Sequence, residues 1–114
     1  MKIITTSKDL SPQEVYFLTM APSVQKMSDQ DSQIIEVSAY ALYEDENGKG
    51  ETQEILSIMT PDNEVFATNS ATFKNDFIKM YELFESMGTK VNSIKVISGT
   101  SKNDRTFYTC VYES

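Results

Sequence analysis

The segment 91–112, VNSIKVISGTSKNDRTFYTCVY, constrains the fold more than any other part of the chain. Two β-rich runs flank a short polar connection, which is the pattern of a β-hairpin. The segment contains one acidic residue and three cationic ones, Lys95, Lys102 and Arg105, whereas the 114-residue chain carries a formal net charge of −7. We therefore predict a hairpin with a locally cationic surface in an otherwise anionic protein.

Aromatic residues are interleaved with these cations, and Phe107 and Tyr108 are neighbours in the second run. Cations and exposed rings on a sheet are the side chains that hold single-stranded nucleic acid, because any base can stack on a ring. Strand alternation leaves open which of the two rings faces outward. The alternative interpretation is an edge hairpin whose cations only keep the protein in solution.

Length and composition limit the function further. The chain has the length of one domain, 1–114, and it is 39% hydrophobic and 24% charged. It has no histidine and one cysteine, Cys110, so the commonest general base and the commonest transition-metal ligands are scarce. We expect no enzyme activity, no metal and no cofactor, and we expect Cys110 to be a buried thiol in a reducing compartment. No apolar run approaches the roughly 18–20 residues that span a bilayer, so no membrane partner is expected.

Acidic residues are concentrated between positions 29 and 64, where ten of them accompany one lysine. The rest of the chain is slightly basic, which predicts a domain with one anionic and one cationic side. The acidic segment either supports solubility or presents carboxylates to a basic partner.

Residues 10–15 predict the start of a short N-terminal helix. Ser11 fits the N-cap, Pro12 the first helical position, and Glu14 the third position of a capping box.

Three strand patterns follow this helix, at 33–43, 51–60 and 64–68. Alternation in the first pattern places Tyr40 outward, on the same face as Glu36.

A longer helix is predicted over about 71–87, with Ser70 or Thr72 as N-cap and Gly88 just past its end. Its apolar residues recur at helical spacing and predict a face against the core. The order of elements predicts a mainly β fold with helices, an OB-like barrel of five strands with this helix between the third and fourth. An α+β sandwich with the helix on one face of an open sheet is the alternative.

Two stretches, FATNSATF at 66–73 and GTSK followed by RTF at 99–107, resemble the small single-stranded DNA-binding proteins of Gram-positive phages and conjugative plasmids. In such proteins a small residue or glycine usually precedes the arginine of the turn, whereas this chain has Asp104. The resemblance implies an OB-like fold and non-specific coating of single strands during replication or transfer in a bacterial cytoplasm. It also implies that Lys102 and Arg105 lie near the DNA backbone.

The predicted nucleic-acid site combines rings for stacking with cations, an amide and a hydroxyl for phosphate contacts. Its residues are Tyr40, Phe66, Asn69, Ser70, Lys95, Lys102, Arg105, Phe107 and Tyr108. Lys26 and Lys90 are expected to be solvated charges outside it. The expected partners are single-stranded DNA, further copies of the chain along the strand, and replication or transfer proteins. The alternative function is an acidic, DNA-mimicking inhibitor of phage type that binds a host DNA-binding protein through the carboxylates of the acidic segment.

Overall fold

The computed structural model describes residues 1–7, 9–46, 48–100 and 102–113. These residues form a mixed α+β fold with two sheets and two α-helices. The elements are β1 (Lys2–Thr6), α1 (Pro12–Thr19), β2 (Gln25–Lys26), a 3-10 helix (Met27–Gln30), β3 (Ile34–Glu36), β4 (Ala39–Glu46), β5 (Thr52–Met59), β6 (Val65–Thr68), α2 (Ala71–Ser86), β7 (Ser93–Thr100) and β8 (Thr106–Tyr112).

The strands of the described residues divide into a five-stranded sheet, in the order β1-β4-β5-β6-β2, and a three-stranded sheet, in the order β3-β7-β8. The prediction of a closed five-stranded barrel is therefore wrong. A closed barrel needs a ladder between β6 and β8, and the described residues form none. A side-chain hydrogen bond crosses that gap, from Ser70 Oγ to the Tyr108 carbonyl oxygen at 3.1 Å.

The predicted strand 33–43 is interrupted between β3 and β4. The Val37 amide donates to the Asn92 carbonyl oxygen, while the next amide, that of Ser38, donates to the Met59 carbonyl oxygen. The chain thus leaves the three-stranded sheet and joins the five-stranded sheet at this point. The irregularity also reverses the alternation, so that Ile35 before it and Tyr40 after it reach the same core.

Both helices begin as their sequences predict. Ser11 and Glu14 form the capping box of α1, and Ser70 caps α2 by accepting from the Phe73 amide. Helix α2 follows β6 and precedes β7, so by count of strands it lies between the sixth and the seventh rather than between the third and the fourth. Neither helix of the described ranges has the length and apolarity needed to traverse a lipid bilayer.

Two apolar clusters lie on opposite faces of the five-stranded sheet. The main core fills the space between the two sheets and α2, and its largest side chains include Phe73 and Phe77. The second cluster lies between the five-stranded sheet and α1, where Leu18 packs against Ala41 and Tyr43. The molecule is therefore layered in the order α1, five-stranded sheet, main core with α2, three-stranded sheet.

Candidate nucleic-acid interface

Two of the predicted rings are buried, which corrects the prediction that they stack on bases. Tyr40 is 6% exposed and meets Phe77 and Tyr81 edge to face, at centroid distances of 5.2 and 4.8 Å. Phe66 is 5% exposed and belongs to the same core. Because β4 is covered on both faces, alternation does not decide which of its side chains reach solvent.

Burial raises the pKa of Tyr40, Tyr43 and Tyr81 above the ordinary value of 10.0. A phenol whose pKa is higher in the folded than in the unfolded chain gives its full stabilisation below pH about 10 and loses it as the pH rises through the folded pKa. We therefore expect the free energy of unfolding to fall above pH 10 as these phenols ionise. Phenolate absorbance followed beside circular dichroism tests this.

The variant Tyr40→Phe removes one of these phenols and should lose less stability between neutral and alkaline pH than the wild type. Full phenolate formation in a protein whose circular dichroism stays native would contradict the burial of Tyr40.

The cross-strand register of the hairpin separates the two neighbouring rings. Lys95 pairs with Val111 and Gly99 with Phe107, so these four side-chain positions share the outer face of the three-stranded sheet. Phe107 is 38% exposed, and its ring covers Gly99 so closely that a Cβ at Gly99 would lie 2.6 Å from ring atom Cζ. Tyr108 points to the other side and is half-buried.

Tyr108 lines a groove of about 430 Å³ together with two other predicted residues, Asn69 and Ser70. The groove runs over the ends of β5 and β6 toward β8, beside the gap between β6 and β8. Its remaining lining residues are Lys26, Ser28, Gln53, Ile55, Ala67 and Thr68.

Hydrogen bonds within the groove hold its polar groups in place. Asn69 Nδ2 donates to Gln53 Oε1 at 2.9 Å, and this pair leaves further amide donors and acceptors at the groove surface. The bond from Ser70 to the Tyr108 carbonyl fixes β8 against the start of α2. The groove therefore offers a half-buried ring, an amide pair and the exposed ammonium of Lys26 within one concave surface.

Lys102 and Arg105 are exposed on the connection between β7 and β8. Ser101 of the same turn lies outside the described residues. Asp104 has a φ of 57°, in the left-handed region that favours glycine. The position before the arginine, where the resemblance implies a small residue or glycine, therefore has a backbone conformation that favours glycine. In this chain Asp104 occupies that position, between Lys102 and Arg105.

The structure therefore distributes the predicted site residues over four places. Asn69, Ser70 and Tyr108 meet in the groove, Lys95 and Phe107 lie on the outer face of the three-stranded sheet, Lys102 and Arg105 lie on the hairpin tip, and Tyr40 and Phe66 are in the core.

The sequence predicts no role for Gln53 and a solvated charge for Lys26. Lys26 belongs to a two-residue strand that pairs in parallel with β6, and so short a strand has no periodic pattern that a sequence could reveal. Among the described residues, no group of three or more carboxylate or thiol side chains is arranged to hold a metal ion.

Comparisons with protein-family models, curated protein sequences and solved structures find no match to this chain.

Proposed function

We propose that this protein binds single-stranded DNA without sequence preference, along the groove that contains Tyr108. The observation that carries the proposal is the convergence of Asn69, Ser70 and Tyr108, separated by up to 39 positions in the sequence, on one groove beside Lys26. A ring, amides and a cation are the groups that bind bases and phosphates of an unpaired strand. The resemblance to phage and plasmid single-stranded DNA-binding proteins supports the same function.

The strand order supports an open form of the OB fold as part of this proposal. If β3 and β4 are counted as one bent strand, the pairings run β8-β7-β3/β4-β5-β6, and α2 then follows the third strand and precedes the fourth. OB folds are often partly open, and they bind oligonucleotides on strands two and three and on the loops after the first and fourth strands. By this count β5 and β6, which form the floor of the groove, are the second and third strands. The loop after the fourth strand, between β7 and β8, carries Lys102 and Arg105.

The charged side chains around the groove orient the bound DNA strand. Asp45 pairs with Gln53 across β4 and β5, so the groove has an acidic neighbour on that side. Glu44 and Glu46 line a second depression there. Phosphates are repelled by these carboxylates and attracted by Lys26, Lys102 and Arg105. Bases consequently face the ring of Tyr108 and the amide pair, while the backbone follows the cations.

Titration with oligo-dT and with duplex of equal length tests the proposal. The chain has no tryptophan, so tyrosine fluorescence reports binding. Oligo-dT should quench it and duplex should not, because a paired base cannot stack on Tyr108. Added salt should weaken binding, since phosphate contacts release counterions.

The variant Tyr108→Ala should lower the affinity for oligo-dT by about 1–3 kcal/mol, the typical loss for one stacked base. Tyr16→Ala is the matched control, because Tyr16 is an exposed tyrosine on α1, outside the groove. Binding is followed by the polarisation of labelled DNA, so that the loss of a fluorescent ring does not affect the readout. Equal affinities of the two variants, or binding that is indifferent to salt, would exclude the groove as the site.

An acidic inhibitor remains the second candidate, supported by the carboxylates of Glu44, Asp45 and Glu46 around one depression. It predicts that oligo-dT and duplex both leave the fluorescence unchanged, and that the protein instead binds a basic, DNA-binding partner.

A further inference from the structure

Strand β8 carries Tyr108 but is held by its own sheet along one edge only. Within the described ranges β8 pairs with β7, and its other edge has no neighbouring strand. A strand held along one edge can roll about its axis. Because successive side chains point to opposite faces of a strand, such a roll changes the direction of every ring on it. The direction of the Tyr108 ring therefore depends on what else holds β8.

Helix α2 holds β8 at two consecutive residues. Ser70, the N-cap of α2, donates through Oγ to the carbonyl oxygen of Tyr108 at 3.1 Å. The hydroxyl of Thr109 donates to the carboxylate of Asp76, in the second turn of α2. The first bond fixes the main chain of β8, and the second fixes a side chain that points away from the face bearing the Tyr108 ring. Together they determine both the position and the roll of the strand.

Lys74 anchors the same part of α2 to a second strand of the groove. Its side chain is buried, and Nζ donates to the carbonyl oxygen of Glu54 on β5 at 2.8 Å. Glu54 follows Gln53, which lines the groove. The helical segment 70–76 is therefore bonded both to β5 and to β8, the strands that supply Gln53 and Tyr108.

The charge of Asp76 and its hydrogen bond should act on DNA binding in opposite directions. Asp76 is half-buried, and neither it nor Thr109 is among the described residues that line the groove. By its charge alone a carboxylate near the groove weakens the binding of DNA, because it repels phosphates. A favourable contribution of Asp76 to binding must therefore come from its bond to Thr109, which makes the sign of the effect a test of its role.

We propose that Asp76 is a positioning residue for Tyr108. Its bond to Thr109 fixes the roll of β8 and so directs the ring of Tyr108 into the groove, where a base stacks on it. This inference rests on the proposed function and adds to it a residue that acts without touching the DNA. Asp76→Asn keeps an oxygen that accepts from Thr109 and loses the charge, whereas Asp76→Ala loses both.

The affinity for oligo-dT, measured by the polarisation of labelled DNA, separates these variants. Asp76→Ala should bind about fivefold more weakly than the wild type, at the lower end of the loss for one stacked base, and Asp76→Asn should bind at least as tightly as the wild type. Glu82→Ala is the matched control, because it removes an exposed acid of the same helix outside the groove and should not weaken binding. In a Tyr108→Ala background, Asp76→Ala should cause no further loss, since Asp76 acts through the ring.

Cys110 gives a second readout that needs no DNA. It is the one cysteine of the chain, it is buried, and it lies on the same face of β8 as Tyr108. Burial raises the pKa of its thiol to about 12, with a smaller contribution from the Asp76 carboxylate. A thiol reagent should modify Cys110 faster in Asp76→Ala than in Asp76→Asn, because only the first variant releases β8. Both variants lack the charge, so its effect on the thiol cancels in the comparison.

Three results would overturn the inference: equal affinities of Asp76→Ala and Asp76→Asn, a loss that persists in the Tyr108→Ala background, or equal reactivity of Cys110 in the two Asp76 variants. Failure of the proposed function is recognised separately, by a wild type that does not bind oligo-dT or by Tyr108→Ala that binds as the wild type does, and it would overturn the inference as well. If Asp76→Ala does not fold, Thr109→Val removes the same bond from the other partner, and Thr109→Ser is its conservative counterpart.

Discussion

A variant that carries Lys102→Glu and Arg105→Glu is expected to bind oligo-dT at least about tenfold more weakly than the wild type at low salt. The proposed strand path brings phosphates to the hairpin tip, where both cations are exposed. Reversing them removes two attractions and adds two repulsions. The salt dependence should also weaken, by about 0.7 in the logarithmic slope for each phosphate that the variant no longer neutralises. Polarisation of labelled oligo-dT across a salt series measures both quantities.

Lys79→Glu with Lys90→Glu is the matched control for charge. Both lysines are exposed and lie outside the groove and the hairpin tip, and the double substitution changes the net charge by the same amount. This control should lose much less affinity than the tip variant, because only the long-range field changes. Equal losses in the two double variants would show that binding responds to net charge rather than to contacts at the tip.

Asp104→Gly changes the same tip in the opposite direction. It removes the acid between the two cations and places glycine at a φ of 57°, which glycine adopts without strain. The affinity for oligo-dT should rise and the free energy of unfolding should not fall. A drop in affinity would mean that Asp104 itself takes part in binding.

The sequence predicts those elements that local interactions determine. The capping box of α1 depends on two residues three positions apart, and the cap of α2 depends on Ser70 alone, so both helix starts are visible in the sequence. The hairpin of β7 and β8 is likewise local. Closure of the sheet is not local, since it depends on whether β6 meets β8 after the intervening helix and hairpin have packed.

The candidate site is less predictable than the fold, for two physical reasons. Beyond the crossing between the sheets at Val37 and Ser38, β4 is covered on both faces, so Tyr40 is a core residue rather than the expected outward ring. The groove is assembled from four separate segments, and neither Lys26 nor Gln53 belongs to a pattern that marks it. Asn69 and Tyr108 are predicted site residues because they lie in stretches with a family resemblance or a hairpin signal.

The aromatic cluster around Phe77 is expected to be the most sensitive part of the core. Phe77 is fully buried on α2, 5.2 Å from Tyr40 and 5.9 Å from Tyr81 between ring centroids. Phe77→Ala should lower the free energy of unfolding by about 3–5 kcal/mol, because it removes apolar contacts and leaves a cavity. That is a large part of the roughly 5–15 kcal/mol that stabilises a typical domain. Urea denaturation followed by circular dichroism measures the loss.

Phe17→Ala provides the matched control, since it makes the same chemical change at a half-exposed ring on α1. Its cost in unfolding free energy should be clearly smaller than that of Phe77→Ala, because nearly half of the Phe17 side chain is already in solvent. If Phe77→Ala fails to fold, Phe77→Leu retains most of the volume and should cost about 1–2 kcal/mol. Because the ring of Tyr40 packs on Phe77, Phe77→Ala should also let Tyr40 ionise at lower pH. The alkaline titration of the phenols therefore also reports on the packing of this core. Similar losses for Phe77→Ala and Phe17→Ala would mean that Phe77 does not anchor α2 in the main core.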